Sequence, residues 1–219
     1  MTPYVTTLST IGAGKIGTNV ALAAIQAGYD VVLSNSRGPE SLSSVIKELG
    51  PKARAATMEE AAAAGDIVLV AIPLKSIGDV PVEQLAGKIV LDANNYYPQR
   101  DGRIESLDAN ETTTSEMLQA HLPDSHVVKV FNNIIAAQIP RDGGPKGAPG
   151  RRALPIAGND DDAKATVTAL LDDFGYDAVD LGPLKESWRV ERDTPAYTKP
   201  TTADELRDLA ARTERVQQV

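Results

Sequence analysis

The feature that most constrains this chain is a glycine-rich turn between a strand and a helix near the N-terminus. Gly12, Gly14 and Gly17 follow the apolar run 5–11, and apolar residues then recur at helical spacing through residues 16–27. In such a turn the first glycine permits a tight bend, the second lets the backbone approach a pyrophosphate, and the third allows the helix to pack closely on the strand. The free N–H groups of the helix N-terminus attract phosphate. The spacing predicts a βαβ unit that binds a dinucleotide, and the alternative is an ordinary strand-to-helix turn.

The rest of the chain alternates apolar runs of strand length with helical stretches. This alternation is typical of a parallel sheet covered on both faces. We therefore expect an α/β fold of the Rossmann type: a doubly wound, mainly parallel sheet with helices on both faces, in a single domain over residues 1–188, followed by a C-terminal tail, 189–219, with a polar helix. The predicted strands are 5–11, 30–34, 53–56, 66–72, 88–94, 127–132, 153–157 and 178–181, and the predicted helices after the first are 41–49, 58–64, 113–121 and 160–174, the last one capped by Asn159.

The end of the second predicted strand distinguishes the two nicotinamide cofactors. An acidic residue about 20 positions after the glycines would bind the ribose 2′-hydroxyl of NAD. The segment 34–37 instead offers hydroxyls, an amide and a guanidinium, which suit a 2′-phosphate dianion. NADP(H) is the predicted cofactor, although an exposed polar loop would look the same. The cofactor-binding residues predicted in these two segments are Gly12, Ala13, Gly14, Lys15, Ile16, Gly17, Ser34, Asn35, Ser36 and Arg37.

Composition excludes several other functions. The net charge of -8, from 30 acidic and 22 basic residues, argues against a nucleic-acid partner. The absence of cysteine excludes disulfides and a thiol nucleophile, and the isolated His121 and His126 give no reason to expect a metal site. The acidic run 160–162 is explained by the macrodipole of the helix that it begins. Without a signal sequence or a long apolar run, we expect a cytoplasmic protein with no membrane partner.

With these residues placed, the chain resembles the NADPH-dependent F420 reductase family, the coenzyme F420-dependent NADP oxidoreductases, whose fold is shared by the cytoplasmic domain of the six-transmembrane ferric reductases. The resemblance extends over residues 8–188. Besides the two segments above, it depends on Ala71-Ile72-Pro73, Leu91-Asp92-Ala93-Asn94-Asn95, Val130-Phe131-Asn132-Asn133, the segment 155–161 and the segment 180–184.

The resemblance implies that hydride passes directly between a nicotinamide and a deazaflavin, so the protein needs little acid–base chemistry and no catalytic side chain is predicted. Family members line the nicotinamide with residues that correspond here to Ile72, Pro73, Asn94 and Asn132, and Ala71 beside them is counted among the cofactor-binding residues. The co-substrate would be coenzyme F420 or a flavin. The resemblance also implies a homodimer.

Three functional alternatives stay open at this stage. The first is hydride transfer between NADP(H) and F420 or a flavin-like acceptor. The second is reduction of another acceptor, such as free flavin, a ferric chelate or a small imine or ketone. A small carbonyl would need a proton donor close to the nicotinamide, and Tyr96, Tyr97 and Lys75 are the candidates. The third is a non-catalytic NADPH sensor, since fold alone does not establish catalysis.

Two further segments, the loop 140–152 and the tail helix, suggest functional roles. The loop 140–152 carries Arg141, Lys146, Arg151 and Arg152 against one aspartate, so it is a candidate lid over the anionic tail of F420, the alternative being a solvated loop. The tail helix has a narrow apolar stripe from Leu206 to Val216, which suits packing on a neighbouring element or on a partner subunit.

Overall fold

The computed structural model describes residues 5–215. Its strands are β1 (Thr7–Ile11), β2 (Asp30–Ser34), β3 (Ala53–Ala55), β4 (Ile67–Val70), β5 (Ile89–Asp92), β6 (His126–Lys129), β7 (Ala153–Gly158) and β8 (Asp177–Asp180). Its α-helices are α1 (Lys15–Gln26), α2 (Ser43–Leu49), α3 (Met58–Ala64), α4 (Pro98–Asp101), α5 (Glu105–Asp108), α6 (Thr114–His121), α7 (Asp161–Asp173) and α8 (Ala203–Arg212). All eight predicted strands and all five predicted helices are present, most of them shorter by a few residues.

The strands form one sheet in the order β3-β2-β1-β4-β5-β6-β7-β8. Neighbouring strands run parallel, except that β7 is antiparallel to β6. The prediction of a mainly parallel, doubly wound sheet is confirmed. Because β1 pairs with both β2 and β4, the strand order reverses at β1, and ligands bind such sheets at the carboxyl ends of the strands beside that reversal.

The sheet is buried on both faces because successive side chains of a strand point to opposite sides. In β4, Ile67 and Leu69 join the apolar cluster that includes α1 and α7, whereas Val68 and Val70 join the cluster that includes α3 and α6. A continuous apolar run, rather than an alternating one, is therefore what a central strand of this sheet requires.

Helix α8 packs on its own chain. Leu206 and Ala210 are buried, and Leu206 shares an apolar cluster with Ala153, Val179 and Val190. Of the two interpretations of the tail helix, packing on a neighbouring element is confirmed, and its buried stripe is not free for a partner subunit. Val216, the last position of the predicted stripe, lies outside the described residues, and the division of the chain at residue 188 stays a prediction.

Of the N-terminal caps predicted for α6 and α7, the structure confirms the first and corrects the second. The capping box of α6 is confirmed: the N–H of Glu116 donates to Thr113 Oγ1 at 3.1 Å, and the N–H of Thr113 donates to Glu116 Oε2 at 2.9 Å. The cap predicted for α7 is wrong. Asp160, not Asn159, accepts the helix N–H of Ala163, because the Asn159 Oδ1 is used by the N–H of Leu184 across the fold.

Candidate cofactor site

The turn between β1 and α1 is so closely packed that positions 12 and 17 have no room for a side chain. A Cβ on Gly17 would lie 1.9 Å from the oxygen of Gly12, and a Cβ on Gly12 would lie 2.3 Å from the oxygen of Ala71. Gly12 also has a φ of 103°, in the left-handed region that side chains rarely adopt. A larger residue at either position would push the turn away from the end of β4.

Gly14 is different, because among the described residues no atom outside Gly14 and its chain neighbours lies within 4 Å of where its Cβ would be. It is the N-cap of α1, it makes no side-chain capping bond, and the first turn of α1 contains no acidic residue. The first N–H groups of the helix are therefore free, and the positive end of the helix dipole is not compensated. Ala13, Lys15 and Ile16 flank this opening. Open space next to free donors is what a pyrophosphate needs.

The end of β2 contributes fewer side chains than predicted. Ser34 is fully buried, and its Oγ donates to the oxygen of Thr10 at 2.8 Å, so this hydroxyl cannot face a 2′-phosphate. Its position is a correction to the predicted site: Ser34 lies inside β2, where its hydroxyl must find a partner on β1. The Asn35 side chain accepts the N–H of Arg37 at 2.9 Å, which shapes the turn.

Ser36 and Arg37 remain as the groups that can reach a ligand. Both are exposed, and within residues 5–215 neither side chain has a hydrogen bond or a salt bridge. The N–H of Gly12 donates to the oxygen of Ser34 at 3.1 Å, which holds this segment beside the glycine turn. An uncompensated guanidinium next to a phosphate site is suited to a second anion.

The segment after β4 lies on the other side of the glycine turn. Ile72 approaches Gly12, and its N–H donates to Asn94 Oδ1 at 3.0 Å. Asn94 is 3% exposed, and its Nδ2 has no hydrogen-bond partner among the described residues. Leaving a buried donor unsatisfied costs about 1–3 kcal/mol. The amide therefore marks a place where a ligand oxygen would be stabilised. Pro73 is exposed beside it.

Asn132 follows β6 and is linked to the same edge of the sheet. Its Nδ2 donates to the oxygen of Val190 at 3.0 Å and to Asn95 Oδ1 at 3.3 Å, whereas its Oδ1 has no partner in the described part of the chain. The preceding residue, Phe131, is fully buried with a φ of 62°. This left-handed residue ends the strand earlier than predicted and turns Asn132 away from the direction of β6. The structure therefore brings Gly12, Ile72, Asn94 and Asn132 to one edge of the sheet.

Comparison with known proteins agrees with this geometry. The family model described as "NADP oxidoreductase coenzyme F420-dependent" matches residues 7–96. A hypothetical protein from Sinorhizobium meliloti has 33% identity and a TM-score of 0.77, with 90% of this chain and 95% of that chain covered. A protein from Arthrobacter sp. FB24 that carries the name of an F420-dependent NADP-reductase has 28% identity and a TM-score of 0.71, with 82% and 86% covered. The metalloreductase STEAP3 of Rattus norvegicus is 30% identical over 204 residues, which are 87% of this chain and 38% of the metalloreductase.

Residues 7–96 match the family of coenzyme F420-dependent NADP oxidoreductases, and the chain is similar over most of its length to a protein named as an F420-dependent NADP-reductase. It spans less than two fifths of the length of the curated relatives that it matches. The predicted family and the predicted fold are confirmed.

Sequence reasoning missed one part of this oxidoreductase fold, a buried ionic cluster under the asparagines. Lys129 on β6 is 1% exposed, and its Nζ lies 3.2 Å from Asp92 Oδ2 and 3.7 Å from Glu191 Oε1. A signal was available, since a lysine inside an otherwise apolar central strand must be paired when it is buried. The partners could not be identified, because they lie far from Lys129 in the sequence.

The residues considered as proton donors differ in their surroundings. Tyr96 is buried; its hydroxyl donates to Asp108 Oδ1 at 3.0 Å and accepts the N–H of Ile104 at 2.9 Å. Burial raises the pKa of Tyr96, and neighbouring Asp108 adds to that rise. Tyr96 is thus part of the local packing of this family member. Lys75 is exposed, and the hydroxyl of Tyr97 lies 2.7 Å from the hydroxyl of Tyr197.

The lid hypothesis for the loop 140–152 is wrong for two of its three arginines, Arg151 and Arg152. The Arg151 side chain is 3% exposed and its Nη1 donates to Asp172 at 2.8 Å and to Asp177 at 2.9 Å. Arg152 donates to Asp142 at 2.6 Å. The charge of Arg151 is neutralised by carboxylates of α7 and β8, which are distant in sequence, and the charge of Arg152 is neutralised by Asp142 within the loop. Arg151 therefore holds the loop to the fold, because a buried guanidinium must be paired.

Residues 5–215 contain neither a membrane-spanning helix nor a cluster of metal-binding side chains. No helix in residues 5–215 is long and apolar enough to cross a membrane. The same residues contain no group of three or more histidine, aspartate or glutamate side chains that could hold a metal ion.

Proposed function

We propose that this protein is an NADP(H)-dependent oxidoreductase that transfers hydride between NADP(H) and coenzyme F420 or a flavin-like acceptor. The observation that carries the proposal is that polar groups without a partner among residues 5–215 flank the open glycine turn on both sides. Arg37 lies on one side, next to the end of β2, and the Nδ2 of Asn94 lies on the other, next to the end of β4.

The residues around the glycine turn offer partners for three polar parts of NADP(H). The guanidinium of Arg37 and the hydroxyl of Ser36 would hold the 2′-phosphate, the free N–H groups at Gly14 would hold the pyrophosphate, and Asn94 Nδ2 would donate to the oxygen of the carboxamide. The cofactor supplies the hydride, and this chain orients its ring and excludes water from one face of it. Ile72 and Pro73 would contact that ring.

The choice of acceptor depends on proton chemistry. Tyr96, one of the three candidate proton donors, already uses its hydroxyl inside the fold and is not free to protonate a substrate. A deazaflavin or flavin accepts hydride on a ring that exchanges its other proton with water, and it needs no strong acid from the protein. The family description and the name of the Arthrobacter protein support F420 as that acceptor.

The experiment that tests this function is a turnover assay. Protein and NADPH are mixed in turn with F420, FMN, FAD and a ferric chelate, and the loss of NADPH absorbance is followed. We expect turnover with F420. NADPH binding without turnover of any acceptor would overturn the proposal in favour of an NADPH sensor.

The cofactor assignment is tested by Arg37→Ala. Losing one exposed, charge-assisted contact to a phosphate should raise the KM for NADPH about tenfold and leave the KM for NADH nearly unchanged. Arg54→Ala is the matched control, because Arg54 is also exposed and has no partner within the described ranges. Equal effects of Arg37→Ala on the two cofactors would contradict the assignment.

A second candidate function is reduction of a ferric chelate through a flavin. It is favoured by the 30% identity to a metalloreductase over 204 residues. Turnover in the ferric arm of the assay only when FMN or FAD is also present would support it. A homodimer stays part of the proposal, and its mass in solution by light scattering tests it.

A further inference from the structure

Three charged side chains form a buried cluster directly beneath the proposed nicotinamide site. Asp92 at the end of β5 is fully buried, Lys129 at the end of β6 is 1% exposed, and the Glu191 side chain is 5% exposed. Removing an ion from water costs several kcal/mol in proteins, and the attraction within a pair offsets this only with good geometry and further hydrogen bonds. Replacing such a buried ionic cluster by apolar residues often leaves a protein equally stable or more stable. Stability alone therefore does not account for the cluster.

Asn94 is held by the cluster at both of its backbone polar groups. The Nζ of Lys129 donates to the oxygen of Asn94 at 2.6 Å, and the N–H of Asn94 donates to Asp92 Oδ1 at 2.9 Å. The side-chain Oδ1 of Asn94 is taken by the N–H of Ile72. With the backbone and one side of the amide held, the direction of the remaining Nδ2 donor is determined by these contacts.

The same cluster reaches the second asparagine through the segment that follows β8. The hydroxyl of Thr114 accepts from Lys129 Nζ at 2.7 Å and donates to Glu191 Oε1 at 2.9 Å. Val190, the neighbour of Glu191, accepts the Nδ2 of Asn132 through its backbone oxygen. Lys129 is therefore one step from Asn94 and connected through Thr114 and Glu191 to Asn132.

We propose that Lys129 is a positioning residue for hydride transfer: it aims the amides of Asn94 and Asn132 at the nicotinamide and does not itself touch the cofactor. The proposal rests on the proposed function. Without the ammonium group, the buried carboxylate of Asp92 would lose its paired cation, and the backbone oxygen of Asn94 would lose its donor. The amide would then sample several directions, and a small displacement at a reacting centre can cost about 100-fold in rate.

The test is Lys129→Met, which keeps the length of the side chain and removes its charge. Lys164→Met is the matched control, because Lys164 is likewise little exposed and lies between two carboxylates, those of Asp161 and Asp180, on α7 and β8. Both variants should lower the thermal stability. Only Lys129→Met should lower kcat, by about tenfold or more.

Binding of a cofactor fragment distinguishes positioning from general damage. The fragment 2′,5′-ADP carries the 2′-phosphate and the adenosine but no nicotinamide, so it depends on Arg37 and not on Asn94. We expect Lys129→Met to weaken the binding of NADP and to leave the dissociation constant of 2′,5′-ADP unchanged. Equal weakening of both ligands, or an unchanged kcat, would overturn the positioning role.

A second variant keeps the proposal falsifiable if Lys129→Met does not fold. Glu191→Gln keeps the shape of the cluster and leaves Lys129 paired with Asp92. It should lower kcat less than Lys129→Met and also spare 2′,5′-ADP; weakening of 2′,5′-ADP together with NADP would refute the proposal. Failure of the proposed function itself is recognised separately, because the unmodified protein would then show no turnover with any acceptor.

Discussion

Replacing Gly14 by alanine should damage cofactor binding and leave the fold intact. In the free protein the added methyl group meets no atom of residues 5–215 within 4 Å beyond its own chain neighbours. The backbone of Gly14, with φ of -77° and ψ of -168°, is allowed for alanine. Alanine reduces the entropy of the unfolded chain, which stabilises by about 0.4–1 kcal/mol. It is also a poorer N-cap than glycine by a similar amount. The two effects oppose each other, so the free energy of unfolding should change by less than about 1 kcal/mol.

The expected effect on binding is larger, because the methyl group occupies the space in which the pyrophosphate would lie. Moving the phosphates away from the N-terminus of α1 would lose at least one charge-assisted hydrogen bond, worth about 1.5–3 kcal/mol. Since about 1.4 kcal/mol corresponds to a factor of ten, the Kd for NADPH should rise about ten- to hundredfold. Isothermal titration calorimetry measures the Kd, and denaturant unfolding of the ligand-free protein measures the stability.

Gly17→Ala provides the contrast. Its Cβ would lie 1.9 Å from the oxygen of Gly12, so this variant should lose stability even without cofactor. An unchanged Kd for NADPH in a folded Gly14→Ala variant would refute the reasoning about the open space at Gly14. Equal stability losses in both variants would refute the distinction between a ligand-facing and a packing glycine.

Two further predictions concern stability. The Lys146 and Arg151 side chains beside Asp172 hold the pKa of that carboxyl below its usual range, so the stabilisation is present at neutral pH and is lost as the pH falls below about 4. In thermal melts, Asp172→Asn should reduce the fall in melting temperature at acid pH, whereas the exposed Asp208→Asn should not. An unchanged pH profile for Asp172→Asn would contradict the assignment. Leu206→Ala should destabilise the protein by about 2–5 kcal/mol, because Leu206 is fully buried. Light scattering should show an unchanged oligomeric state. A change of that state would contradict the packing of α8 on its own chain.

The correct predictions share one property, which is that their causes are local in sequence. The steric needs of Gly12 and Gly17 follow from a single turn, the capping box of α6 spans three residues, and the central strands are recognisable as short apolar runs. Hydrophobic periodicity and turn geometry act between residues a few positions apart, so the order of elements and the place of the glycine turn can be predicted from the sequence alone.

The errors and omissions share the opposite property. Ser34 was expected to face the cofactor, but its hydroxyl is taken by Thr10 on the neighbouring strand; Arg151 was expected in a lid, but its guanidinium is taken by Asp172 and Asp177. Lys129 was not recognised at all. A polar side chain at a strand end or in a loop satisfies whichever partner the fold brings within about 3 Å, and sequence spacing does not contain that information.

The sequence by itself therefore determined the strands of the sheet and the glycine turn at the carboxyl end of β1, because these follow from short-range sterics and burial. Only the tertiary structure decided which of the candidate polar groups remain free. Among residues 5–215, the Arg37 side chain and the Nδ2 of Asn94 have no partner, whereas Ser34, Tyr96 and Arg151 do. Hydrogen bonding in a packed interior depends on partners that are distant along the chain.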